Sequence, residues 1–191
     1  MTVLLLGLDP GLAACGWALA TYDGRALSDI RVGTITTAPS ARRQRTLACE
    51  DHVRRGRELA DALRYIAGQW DCGRWSPAVA AVCAEAMSHP RHASSAAKLA
   101  LAWGVIVGAL GTLPIAQASP QQVKLVVAGR RDASKADVQA ALDLAYGPID
   151  WPRRKADVEH AADALAAVVA CLGADVIRAA VGVQRREERG L

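Results

Sequence analysis

The chain has 191 residues, enough for one domain with a sizeable core, and its 52% hydrophobic content with no Phe makes that core Ala-, Val- and Leu-packed. A formal charge of +4 and a pI near 9.0 allow a polyanionic partner without demanding one. Five cysteines without C-x-x-C spacing (Cys15, Cys49, Cys72, Cys83, Cys171) read as small core residues of a reducing compartment rather than a zinc or disulfide framework, and the absence of a secretory n-region or an uninterrupted spanning run predicts a soluble, cytoplasmic protein without a membrane partner.

Val3 to Leu8, Gly16 to Tyr22 and Ile30 to Thr36 read as three strands of an antiparallel meander, turned at Pro10-Gly11 and Asp23-Gly24. The first is an apolar run that ends on Asp9. An acid in that position is costly to ionise unless a cation or a donor stands beside it, although Asp-Pro-Gly is also ordinary turn chemistry. Residues 37 to 46 are polar and read as a loop. Leu59, Leu63, Ile66 and Trp70 fall at helical spacing, which predicts an amphipathic helix from about Cys49 to Trp70. Ala78 to Ala84 is a wholly apolar strand ending on Glu85. Residues 94 to 110, nearly all apolar, predict a helix buried on most faces.

A short strand at Leu113 to Ala118 is followed by Ser119-Pro120, an N-cap and first-turn proline that open a helix. Ser134 caps another helix running to about Tyr146, and a last helix is predicted from Asp157 to Ala180. Residues 184 to 191 read as a charged tail behind a single domain spanning 1 to 183. The fold class is α/β, with a mixed five-stranded sheet covered on both faces.

Two strand-end carboxylates, Asp9 and Glu85, emerge at one sheet edge if their strands are neighbours. His160 and Asp163, three residues apart, share one helical face, while Asp157 and Glu159 are expected to point elsewhere. Together the four suit a divalent-cation site of mainly hard oxygen ligands and two-metal phosphoryl transfer. Taken singly, Asp163 also fits a salt-bridge partner and His160 a satisfied core histidine.

The chain resembles the RuvC family of Holliday-junction resolvases, of the ribonuclease H-like superfamily. The resemblance rests on Gly7-Leu8-Asp9-Pro10-Gly11 with Gly16-Trp17, on Ala84-Glu85, and on Leu101 to Gly111. It continues through Ser119-Pro120-Gln121-Gln122-Val123-Lys124, Lys135-Ala136-Asp137-Val138-Gln139 and His160-Ala161-Ala162-Asp163-Ala164-Leu165-Ala166. It implies a ribonuclease H-like fold and a metal-dependent endonuclease that resolves four-way junctions by symmetric paired nicks in DNA recombination and repair. It further implies Asp9, Glu85, His160 and Asp163 at metal-binding catalytic positions, and Lys124 and Lys135 at basic active-site positions. Two Mg²⁺ ions per site, activity with Mn²⁺, a homodimer and branch-migration proteins as partners are implied in the same way. The competing functions are another ribonuclease H-like nuclease acting on flaps or RNA–DNA hybrids, and a non-catalytic junction-binding protein. An actin-like ATPase would need a second copy of the fold.

Lys124, Arg130, Arg131 and Lys135, set against the single acid Asp132, read as a DNA-phosphate cluster. His89 and Arg91 form a smaller one after Glu85. Arg42, Arg43, Arg45, Arg54, Arg55 and Arg57 form another, for which a solvated surface is the ordinary reading. After Glu85, where many relatives carry an aromatic wedge, this chain has Ala86-Met87-Ser88-His89-Pro90. That departure predicts selection of junction structure over base sequence.

Overall fold

The computed structural model describes residues 2–41, 47–71, 74–87, 92–111 and 113–188. The three N-terminal strands, β1 (Val3–Asp9), β2 (Ala14–Tyr22) and β3 (Leu27–Thr36), form the meander. β6 (Ala81–Glu85) and β7 (Ile115–Ala118) run parallel to β1, so the sheet reads β3-β2-β1-β6-β7. The five-stranded mixed sheet is thus as the alternating apolar runs predict.

Strand periodicity sorts the side chains between two cores. Val3, Leu5, Ala18, Ala20, Ala81, Cys83, Ala116 and Ala118 face one side. There they meet α3 (Pro120–Ala128), α4 (Lys135–Tyr146), α5 (Lys155–Cys171) and α6 (Asp175–Glu188). Leu6, Leu8, Leu19, Val82 and Ala84 face the other side and pack on α1 (Ala48–Ala67) and α2 (Ala93–Leu110). Burying apolar residues on both faces in this way gives a three-layer α/β/α arrangement.

α3 and α4 begin where the serines place them. Ser119 Oγ accepts from Gln122 N at 3.3 Å and Gln122 Oε1 accepts from Ser119 N at 2.9 Å; Ser134 and Asp137 repeat the device.

Four expectations need correction. α1 stops at Ala67, because Gly68 is extended, and a separate hairpin follows: β4 (Gly68–Asp71) against β5 (Arg74–Pro77), with Trp70 opposite Trp75. The predicted last helix is two helices, α5 and α6, bent by 74° around Gly173; α6 continues to Glu188. α2 is buried on one face only: Ala102, Trp103, Ile106, Ala109 and Leu110 are covered, whereas Ala97, Ala100, Gly104, Val107 and Gly108 are exposed. Its length and mean hydropathy match those of a membrane span, and 28% of that stretch is buried inside the fold. Cys15, Cys83 and Cys171 are core residues as expected, but Cys49 is exposed.

Candidate metal and DNA-binding centre

β1 and β6 are parallel neighbours in which Leu8 pairs with Ala84. Asp9 and Glu85 each come one residue later, so they leave the sheet side by side. Strand alternation turns both toward α5, the side occupied by Leu5 and Cys83. α5 lies close on that side because two strand residues lack a side chain. A Cβ on Gly16 would stand 1.9 Å from the His160 carbonyl oxygen, and one on Gly7 would stand 2.2 Å from that of Ala164. The helix therefore holds His160 and Asp163 directly over the strand-end acids.

His160 Nδ1 and Asp9 Oδ2 lie 2.7 Å apart. Lys135, at the start of α4, donates to Asp163 Oδ2 at 2.7 Å and stands 3.8 Å from Glu159 Oε2. Glu159 thus faces the site through Lys135, contrary to the expectation that it points away. Asp157 contributes its backbone carbonyl, which accepts from Thr34 Oγ1 at 2.8 Å and ties the start of α5 to β3.

The electrostatics are those of crowded carboxylates. Burial, then the negative charges of Asp9 and Asp163, push Glu85 up to about 7, against the pull of Lys135 and Lys124. Burial also raises Asp163, in spite of its bond to Lys135. The hydrogen bond to Asp9 raises His160 above the ordinary imidazole value, outweighing the opposing effect of burial. For Lys135, burial works against the charge, but the bond to Asp163 prevails and the ammonium is stabilised.

Among the described residues, no three His, Cys, Asp or Glu side chains converge closely enough to enclose an ion as they stand. The donor set nonetheless fits a hard divalent cation. It offers three carboxylates and one imidazole, and the mutual repulsion that raises Glu85 is what a cation would relieve.

Of the predicted DNA residues, Lys124 lies on α3 near enough to act on Glu85. Arg131 is exposed, while Arg130 is committed to Asp137 at 2.6 Å and stands 3.9 Å from Asp132. His89, Arg91, Arg42, Arg43 and Arg45 lie outside the described residues. Arg54 and Arg55 are structural: Arg54 bridges Asp51, Glu58 and the Ala38 carbonyl, and Arg55 is buried.

Compared with known proteins, residues 5–172 match the family model of the crossover junction endodeoxyribonuclease RuvC. A protein of that name from Zymomonas mobilis is 34% identical over 169 residues, spanning 87% of this chain and 89% of that protein. One from Parvibaculum lavamentivorans is 33% identical over 171 residues, spanning 88% and 86%. The fold is similar to that of T. thermophilus RuvC in complex with a Holliday junction substrate, with a TM-score of 0.63 at 24% identity over 94% of this chain and 96% of that one.

Proposed function

The chain belongs to the RuvC family of crossover junction endodeoxyribonucleases, and on that premise we propose that it resolves four-way DNA junctions by paired, metal-dependent nicks at the Asp9–Glu85–Asp163 edge. The observation that carries this reading is the matched register of Asp9 and Glu85 beneath Asp163, three carboxylates close enough for the first and third to raise the second.

In this reading Asp9, Glu85 and Asp163 would hold two Mg²⁺ ions, with Mn²⁺ a substitute and His160 either a fourth ligand or a proton carrier. Bound ions of this kind lower the pKa of a water and neutralise charge on the leaving oxygen. The protein's own part is to orient. β1 and β6 set the spacing of two carboxylates, and α5 sets the third. Lys124 faces the charge of the scissile phosphate. Lys135, beside Asp163 at 2.7 Å, would position the strand through the adjoining phosphate. Arg131, on the loop between α3 and α4, extends the same positive surface.

Pairing the nicks needs two active sites. The uncovered apolar face of α2, with Val107 52% exposed and open space above Gly104 and Gly108, suits a second copy of the chain.

The decisive assay compares strand cutting of a mobile four-way junction with that of duplex, flap and RNA–DNA hybrid substrates in Mg²⁺. Preferential, symmetric nicking of the junction is expected, and equal cutting of the hybrid would point to a different ribonuclease H-like nuclease. Asp9→Asn should reduce cutting by orders of magnitude while junction binding persists, because affinity comes mainly from phosphate contacts. Parallel loss of both would make Asp9 a structural residue.

A further inference from the structure

We infer that Arg153 and Lys155 form a second phosphate-binding station, on the β3 side of the carboxylates, which holds the DNA strand one or two nucleotides from the cut. The inference rests on the reading of the Asp9–Glu85–Asp163 edge as a nuclease site.

Its ground is where the fold puts these cations. α5 crosses the sheet with the His160 carbonyl over Gly16 of β2 and the Asp157 carbonyl bonded to Thr34 of β3. Gly16 pairs with both Asp9 and Thr34, so all three lie in one row at the catalytic edge. Residues 153–155 therefore sit at the β3 end of that edge, while Lys124 in mid-α3 and Lys135 at the start of α4 occupy the opposite flank. Strands are about 4.8 Å apart, which places β3 roughly 10 Å from Asp9. Across a single DNA strand, whose neighbouring phosphates are farther apart in space than the axial rise, that separation is on the order of one to two phosphates.

The charges are also available. Arg153 and Lys155 are exposed, and among the described residues no ion pair holds either of them. Arg154, between them, leans on Asp157 at 3.8 Å, and the remaining nearby acid, Asp150, precedes Pro152. Arg130, by contrast, must leave Asp137 before it can serve a phosphate. The base of the station is firm: Trp151 donates through Nε1 to Asp143 Oδ1 at 2.8 Å and packs on the core of the α5 face. Two unpaired cations in line with a phosphodiester site form a ready backbone contact, because no existing ion pair has to break first.

The test uses the full chain without divalent metal and measures junction affinity from 50 to 200 mM NaCl for the parent and for R153Q/K155Q. Loss of two contacts lowers the slope of log K against log salt by about two, so the fall in affinity across that range shrinks by about tenfold. The charge-preserving exchange R153K/K155R should restore the parent slope. An unchanged slope in R153Q/K155Q, with melting temperature preserved, would overturn the station. The same slopes on a plain duplex separate the two ideas. A parent that cuts no junction once Mg²⁺ is added, but whose metal-free duplex slope falls in the variant, loses the junction reading and keeps the phosphate contacts. A parent that cuts junctions, but whose slope is untouched by the variant, keeps the reading and loses the station.

Discussion

At the scale of single residues, the site stores charge conflict that pH should reveal. Glu85 is raised from an ordinary 4.5 to about 7, chiefly by burial and then by Asp9 and Asp163. An acid whose folded pKa lies above its unfolded one keeps its proton longer in the folded state. Between about 4.5 and 7 the folded chain therefore binds more protons, and stability falls as pH rises. His160, raised by Asp9, acts in the same direction: its contribution is complete below the ordinary imidazole value and is lost as pH climbs through the folded one. Metal-free protein should accordingly melt at progressively lower temperature from pH 4.5 to above 7, and Glu85→Gln should flatten much of that decline. The rise in melting temperature on adding Mn²⁺ should grow over the same interval, since the ion needs the carboxylate bare. A profile that instead rises with pH would show that Glu85 is not held protonated by its neighbours.

Among elements, the turn between β1 and β2 is clamped from the far side of the site. Arg55 Nε donates to Thr37 Oγ1 at 2.9 Å, and the Thr37 hydroxyl donates to the Leu12 carbonyl at 2.5 Å. The Thr37 amide donates to the Ala13 carbonyl at 3.0 Å. Asp51 completes the network with Ser40 N and Oγ at 2.8 and 2.7 Å, and with Arg55 at 3.7 Å. Thr37 and Arg55 are 5% and 6% exposed, so a broken bond there is not replaced by water at no cost. Thr37→Val keeps the shape but strands both the Arg55 donor and the Leu12 acceptor. It should cost about 1–3 kcal/mol in denaturant unfolding, while Thr37→Ser should retain most of the stability. Equal stability of the two variants would mean the hydroxyl bridge contributes nothing.

For the whole molecule, the two faces of the sheet are unequally covered. Among the described residues, four helices seal the α5 side; two lie on the other, and α2 turns a row of small and apolar residues outward. The proposed pairing of nicks through a two-fold dimer requires self-complementary surfaces, and such surfaces carry an apolar centre. Placing a charge there by Val107→Glu should shift the mass in solution, read by light scattering, from dimer to monomer. The two nicks of one junction should then become uncoupled in time. A dimer that survives this substitution would place its interface elsewhere.

Much of this was legible before folding, because some signals are local. An apolar run that ends on an acid specifies a strand and its tip; Ser119-Pro120 and Ser134 specify helix starts; His160 and Asp163 share a face by spacing alone. Other outcomes depend on residues remote in sequence. That Asp9 and Glu85 stand together follows from β1 pairing with β6, about 75 positions away, as strand order and register allow. Gly68 and Gly173 carried stop signals at the ends of α1 and α5, but helical periodicity runs through both glycines, and only packing decided that the chain turns there. Charge is the least local property of all. Arg55, Arg130 and Arg153 look alike in the sequence; one is buried against Thr37, one is bound to Asp137, and one is exposed just before α5. Residue type determined which chemistry the chain could offer, and tertiary placement decided which charges were already neutralised, since Coulomb energy and desolvation depend on distance and burial rather than on position along the chain.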